Sequence, residues 1–452
     1  MLSVWSPVSF GASSDTANKR VLSPQVVVQR WTMGNGLVVL LVERHALPAI
    51  HAQLLVKTGS VADPAGKAGL AALTARLLDK GTTTRSATEI AEAIDFIGGS
   101  LSAQADSDSS VVALTALKKD WPTALGVMSD MLLHPSFPAS EVERARRETL
   151  AGILAAKEDP EDVAEKVFAP LVFGPHPYRY PVEGLETTVP TLTREEVVAF
   201  HRTYYRPNNA ILAVVGDLTA SEARRELKRV LGAWEKKPIP AVTIPPAPPL
   251  AERVVRVTDK DLTQATVFLG HLGISRRDRD FYPVTVMNYI LGGGGFASRM
   301  MSEVRDNRGL VYGISSGFDA RLFPGAFVVS FQTKTASTND ALRSVLTEMA
   351  KIRDNGVTDA ELEAAKAYLV GSFPMRFDTD AKLVTLLSFV EFYGLGLDYF
   401  TAYPKAIMAV TREDVQRAAV AHVNPDQYAL VVVGKARDLS LAPDATPPGA
   451  SP

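Results

Sequence analysis

The chain has no cysteine among its 452 residues, which removes disulfides, thiolate nucleophiles and cysteine-bound zinc or iron–sulfur centres at once. Any metal would have to be held by histidine and carboxylate. Surplus charge of either sign is also missing: 48 Lys plus Arg stand against 50 Asp plus Glu, a formal net charge of -2. A phosphate backbone demands a basic excess, so no nucleic-acid partner is expected. No apolar run approaches the roughly 18 residues needed to span a bilayer. Stretches such as 429–434 have the length of buried strands instead. There is no Gly-x-Ser-x-Gly elbow for a serine nucleophile. The opening MLSVWSPVSFGASSD has neither a basic n-region nor a sustained apolar core, so it does not read as a secretory signal.

What is present is enough apolar sequence, 46% of residues, to bury more than one core in a chain of this length. The prolines of 235–252 (Pro238, Pro240, Pro245, Pro246, Pro248, Pro249) forbid helix and favour an extended linker. The sequences on either side resemble each other. Thr193-Arg194-Glu195 with Val197 recurs as Thr411-Arg412-Glu413 with Val415, and Pro207 with Ala213-Val214-Val215-Gly216 recurs as Pro425 with Val431-Val432-Val433-Gly434. The offset is constant, since 411 − 193, 425 − 207 and 434 − 216 are all 218. Each copy reads as a capped amphipathic helix, a proline turn, and a buried β-branched strand stopped by glycine.

With short strands also expected at 37–42 and 52–57, the mixed order predicts an α+β fold of two similar domains. The expected boundaries are a flexible segment 1–24, a first domain 25–234, the linker 235–252, a second domain 253–440 and a flexible tail 441–452. The seven histidines, at 45, 51, 134, 176, 201, 271 and 422, include no pair at i, i+3 or i, i+4. No single helix therefore supplies two imidazoles to a metal.

The segment 69–82, GLAALTARLLDKGT, resembles the zinc helix of insulinase (pitrilysin, M16) peptidases, which begins Gly-Leu-Ala, carries His-x-x-Glu-His and ends Lys-Gly-Thr. That spacing places two imidazoles and a carboxylate base on one helix face. Here the three positions hold Ala72, Ala75 and Arg76, and the family's later glutamate ligand aligns with Gly152. No metal and no cofactor is expected in this chain.

A second resemblance lies in 291–316, where Leu291, Gly292, Gly293, Gly294, Gly295 and Phe296 precede a helix expected from about Ser298 and then Arg308-Gly309-Leu310-Val311-Tyr312. It is similar to the family's second-half signature, a glycine-rich turn followed by Arg-Gly-Leu-x-Tyr. The resemblance implies that Arg308 binds peptide carbonyl and Tyr312 helps hold the oxyanion at an opposed zinc site, with Gly292, Gly293, Gly294 and Gly295 against substrate. Fixed donors of this kind suit developing negative charge.

The resemblance extends over 26–439 and implies two α/β-roll domains forming half of a clamshell dimer. The expected partner is a homologous subunit carrying His-x-x-Glu-His and Zn²⁺, the expected ligand is peptide, and the expected setting is the bacterial periplasm or cytoplasm. The alternative is a scaffolding or peptide-binding subunit of the same fold with no part in catalysis.

Overall fold

The computed structural model describes residues 26–439 and 441; apart from Leu441, the segments expected to be flexible lie outside the described residues. The first half contributes strands β1 (Gln29–Thr32), β2 (Val38–Glu43), β3 (Ala49–Val56), β4 (Ser100–Ala105), β5 (Ser110–Leu117) and β6 (Ala210–Gly216). Its helices are α1 (Leu70–Arg76), α2 (Ala87–Phe96), α3 (Trp121–Leu133), α4 (Ala139–Ala155), α5 (Pro160–Phe173), α6 (Arg194–Tyr204) and α7 (Ala220–Leu231). The second half contributes β7 (Val254–Asp259), β8 (Gln264–Leu272), β9 (Val311–Phe318), β10 (Ala326–Lys334) and β11 (Ala429–Gly434). Its helices are α8 (Phe281–Asn288), α9 (Thr338–Asn355), α10 (Asp359–Ser372), α11 (Asp380–Tyr393), α12 (Tyr399–Ala409) and α13 (Arg412–His422).

The repeat seen in sequence is carried by topology. The first sheet runs β1-β2-β6-β3-β5-β4 and the second β7-β11-β8-β10-β9. Leaving β1 aside, the two orders correspond strand for strand. Each has one parallel pair, β2 with β6 and β7 with β11, among antiparallel neighbours. The copied helices α6 and α13 open with the same device: Thr193 and Thr411 each accept a backbone N–H from the third helical residue, whose carboxylate returns the bond. This is the mixed-sheet α+β fold in two similar halves that the sequence predicts.

The halves are joined by more than the linker. α5, from the first half, lies on the second sheet, where Ala164, Phe168, Val172 and Phe173 meet Ala429, Val431 and Val433. α11, from the second half, lies on the first sheet, where Leu383, Leu387 and Val390 join a cluster with Leu55, Ile211, Ala213 and Val215. The two helices occupy equivalent places, since 380 − 160 and 393 − 173 are both 220. Each half thus lends the other a cover, which is why β6 and β11 are buried along their whole length and read as unbroken apolar runs. No residue of 235–250 lies in helix or strand, and Ile244, Ala247 and Leu250 pack beside α5.

Candidate functional site

α1 begins after Gly69, whose φ of 99° suits glycine. Asp63 fixes the helix start by accepting N–H bonds from Gly69 and Ala71, each at 2.8 Å. The helix runs beside β4 and α4, and a cavity of about 950 Å³ opens among them and the second sheet. Ala72, Arg76 and Gly152 line it together; Ala75 is fully buried behind them. A side chain at Gly152 would meet nothing within 4 Å, so the space a ligand would need is open. The donors are what is missing. The carboxylate nearest in chain, Glu148, one turn before Gly152, is occupied: its Oε2 accepts from Arg76 at 2.7 Å and its Oε1 from Arg144 at 3.0 Å. Two methyls, a guanidinium and a hydrogen do not make a zinc site, and the cation at Arg76 repels one. Dialysed protein is expected to carry far less than one zinc per chain by metal analysis, and a tightly held stoichiometric ion would contradict this geometry.

Among the described residues one other cluster brings metal-type donors close, Asp278, Asp280 and His422, with atoms within 4.8 Å of one another. Asp280 already accepts from Arg417 and from His422 Nε2 at 3.0 Å. The cluster ties the start of α8 to the end of α13 by charge-assisted bonds. His176 is buried, its Nδ1 accepting the Tyr178 N–H at 3.1 Å.

In the second half, three of the four glycines are required by close approach. A Cβ on Gly292 would lie 2.5 Å from Ser316 Oγ, on Gly293 2.5 Å from Asn288 Nδ2, and on Gly294 2.5 Å from the Tyr289 carbonyl. These contacts are with this chain's own β9, α8 and Tyr289, the residue that follows α8. The helix expected from Ser298 forms, but Met301–Asn307 winds as a wider π-helical turn, a form often found at functional sites. Gly309 ends it at φ +62°, the left-handed position expected. Arg299 anchors the segment by a two-armed bond to Glu361, 2.6 and 2.8 Å. That guanidinium, first among the causes, holds the Glu361 carboxyl down to about 2.

Arg308 and Tyr312 make no hydrogen bond or ring contact with each other among the described residues. Arg308 reaches Ser344 on α9. The guanidinium beside Tyr312 is that of Arg305: its Nε donates to the Tyr312 carbonyl at 2.9 Å, and its central carbon lies 5.9 Å from the Tyr312 ring and 5.0 Å from that of Phe296, within reach of a cation–π attraction. Arg305 and Arg308 stand one turn apart on the same wound segment, and the motif spacing does not say which one faces the following strand. The rings of Phe296 and Tyr312 are 73% and 89% exposed, and the Tyr312 hydroxyl has no partner among the described residues.

Residues 38–183 match the family model of the insulinases (peptidase family M16) and residues 191–369 that of the peptidase M16 inactive domain. Uncharacterized zinc proteases are similar over most of the chain: one from Streptomyces coelicolor is 29% identical, with 91% of this chain and 90% of that protein covered, and one from Bacillus subtilis 25% identical, with 79% and 86% covered. The crystal structure of a peptidase M16 inactive domain from Pseudomonas fluorescens superposes with a TM-score of 0.85 at 32% identity, covering 92% of this chain and 100% of that one. A protease from Helicobacter pylori shares the fold at TM-score 0.83 and 20% identity, with 90% and 99% covered. Among the described residues no helix is long and apolar enough to cross a membrane. Two matched family models and an aligned structure across nine-tenths of its length place this chain in the insulinase family, peptidase family M16.

Proposed function

We propose that this chain is the zinc-less subunit of a heterodimeric M16 metallopeptidase. A homologous partner with His-x-x-Glu-His supplies Zn²⁺; this chain supplies Tyr312, with Arg305 beside it, and one wall of the peptide chamber. The observation that carries the reading is the Tyr312 phenol, exposed on an edge strand next to a fixed cation. A hydroxyl so placed can donate to an oxygen that gains charge in a second molecule. Arg305 holds the strand through Nε, pairs with Asp306 through Nη1 at 2.7 Å, and offers its remaining Nη2 to a peptide carbonyl. Extended peptide would pair with a sheet edge through its main chain, which gives weak side-chain specificity.

The test is peptide hydrolysis by the reconstituted pair, with assembly followed separately by size-exclusion chromatography. Arg305→Ala is expected to raise KM and to lower kcat, because its carbonyl contact exists before and during the reaction. Arg308→Ala, which loses a bond to Ser344 within its own chain, is expected to leave both nearly unchanged. The reverse pattern would return the role to Arg308. The second reading is a scaffolding or peptide-binding subunit of the same fold with no part in catalysis. It predicts that none of these substitutions changes turnover of the assembled pair.

A further inference from the structure

We propose that a β-bulge presents Tyr312 and that Gly313 is a positioning residue for its phenol; the inference rests on the reading of Tyr312 given above. β9 is an edge strand and pairs with β10 alone within its sheet. From Phe318 to Ile314 the pairing is one to one, Phe318 with Phe327 through Ile314 with Phe331. The next pair is Val311 with Thr333. Tyr312 and Gly313 therefore stand against a single residue, Gln332, which is the count that defines a bulge.

Burial shows what the extra residue does. Along β9 the even positions Ile314 and Ser316 are buried and the odd positions Ser315 and Gly317 are exposed. Unbroken alternation would turn Tyr312 inward with Ile314 and Val311 outward. The structure has the opposite: Val311 is 7% exposed and Tyr312 89%. β10 keeps its alternation through the same stretch, with Phe331 and Thr333 buried and Gln332 exposed between them, so the break belongs to β9. A bulge also leaves backbone unpaired, and the Tyr312 carbonyl is the group that Arg305 Nε takes up at 2.9 Å. A Cβ on Gly313 would meet nothing within 4 Å. The position supplies a residue to the count rather than room for a neighbour.

Three variants test this in the reconstituted pair. Gly313→Ala keeps the count and is expected to assemble and cleave like the wild type. Deletion of Gly313 makes the pairing regular and sets Tyr312 squarely opposite Gln332. It should keep assembly and KM while kcat falls between about tenfold and about a hundredfold, the scale of a misplaced catalytic group. The exchange of neighbours, Tyr312→Gly with Gly313→Tyr, preserves composition, strand length and an outward phenol, and should lower kcat on the order of 10². The exchange decides the matter if the deletion variant fails to assemble. Wild-type turnover in every assembled variant that moves the tyrosine, with Tyr312→Phe impaired, overturns the bulge. A silent Tyr312→Phe overturns the reading beneath it.

Discussion

Tyr312→Phe is expected to lower kcat of the reconstituted peptidase on the order of 10², the loss typical of one oxyanion donor, with KM and assembly little changed. The substitution removes a hydroxyl that has no partner within the described part of its own chain and sits on a ring 89% exposed, so the folded chain loses no contact of its own. The cation–π approach of Arg305 to the ring at 5.9 Å survives, because Phe has the same aromatic face. What disappears is a donor whose bond strengthens as charge develops on the oxygen, and such a loss falls on turnover rather than on ground-state binding. A scaffold has no oxyanion to hold. Wild-type kcat in the assembled Tyr312→Phe pair would therefore leave the scaffold as the reading of this chain.

Much of the architecture was legible because it is written twice. The 218-residue offset joins Thr193 to Thr411 and Gly216 to Gly434, and both ends of that repeat are local devices, a capping box and a glycine stop after a β-branched run. The exchange of α5 and α11 was not legible. Nothing in the apolar pattern of a helix names the sheet that it covers, and Phe168 would read the same on either one. The positions Ala72, Ala75, Arg76 and Gly152 were picked out by spacing on α1 and α4, and Ala72, Arg76 and Gly152 line one cavity. Which arginine lies beside Tyr312 was not legible, because it depends on how a π-wound segment delivers two cations one turn apart. The orientation of Tyr312 was further out of reach: strict alternation predicts the wrong face, and only the partner strand reveals the extra residue.

Acid is expected to weaken the fold through two buried histidines before it reaches the strongest carboxylate pairs. His201 on α6 is buried between Phe137 and Tyr205, its Nε2 bonded to the Leu132 carbonyl at 3.0 Å, and burial above all holds it down to about 4. His176 is likewise held down to about 4, by burial first and by the Arg321 guanidinium second. Both folded values lie below the ordinary histidine value of about 6.5. The stability each contributes is therefore complete above about pH 6.5 and is lost as pH falls toward 4, because the unfolded chain takes up protons that the folded one refuses. Glu361, held down to about 2, loses its contribution in a lower window, from the ordinary glutamate range downward. Asp63 acts in the opposite sense, since burial pushes it up to about 7 against its backbone bonds and its contribution is lost as pH rises. A raw stability curve mixes these opposing effects. The measurement that isolates the histidine is a difference between wild type and His201→Asn in denaturant unfolding across the same pH range. Whatever the substitution costs at neutral pH cancels in that comparison. Between about pH 7.5 and about pH 4.5 the wild type is expected to lose on the order of 2 kcal/mol more than the variant. Parallel curves would mean that His201 takes its proton in the folded state as readily as in the unfolded one, which a ring bonded to a buried carbonyl and enclosed by two aromatic side chains does not allow.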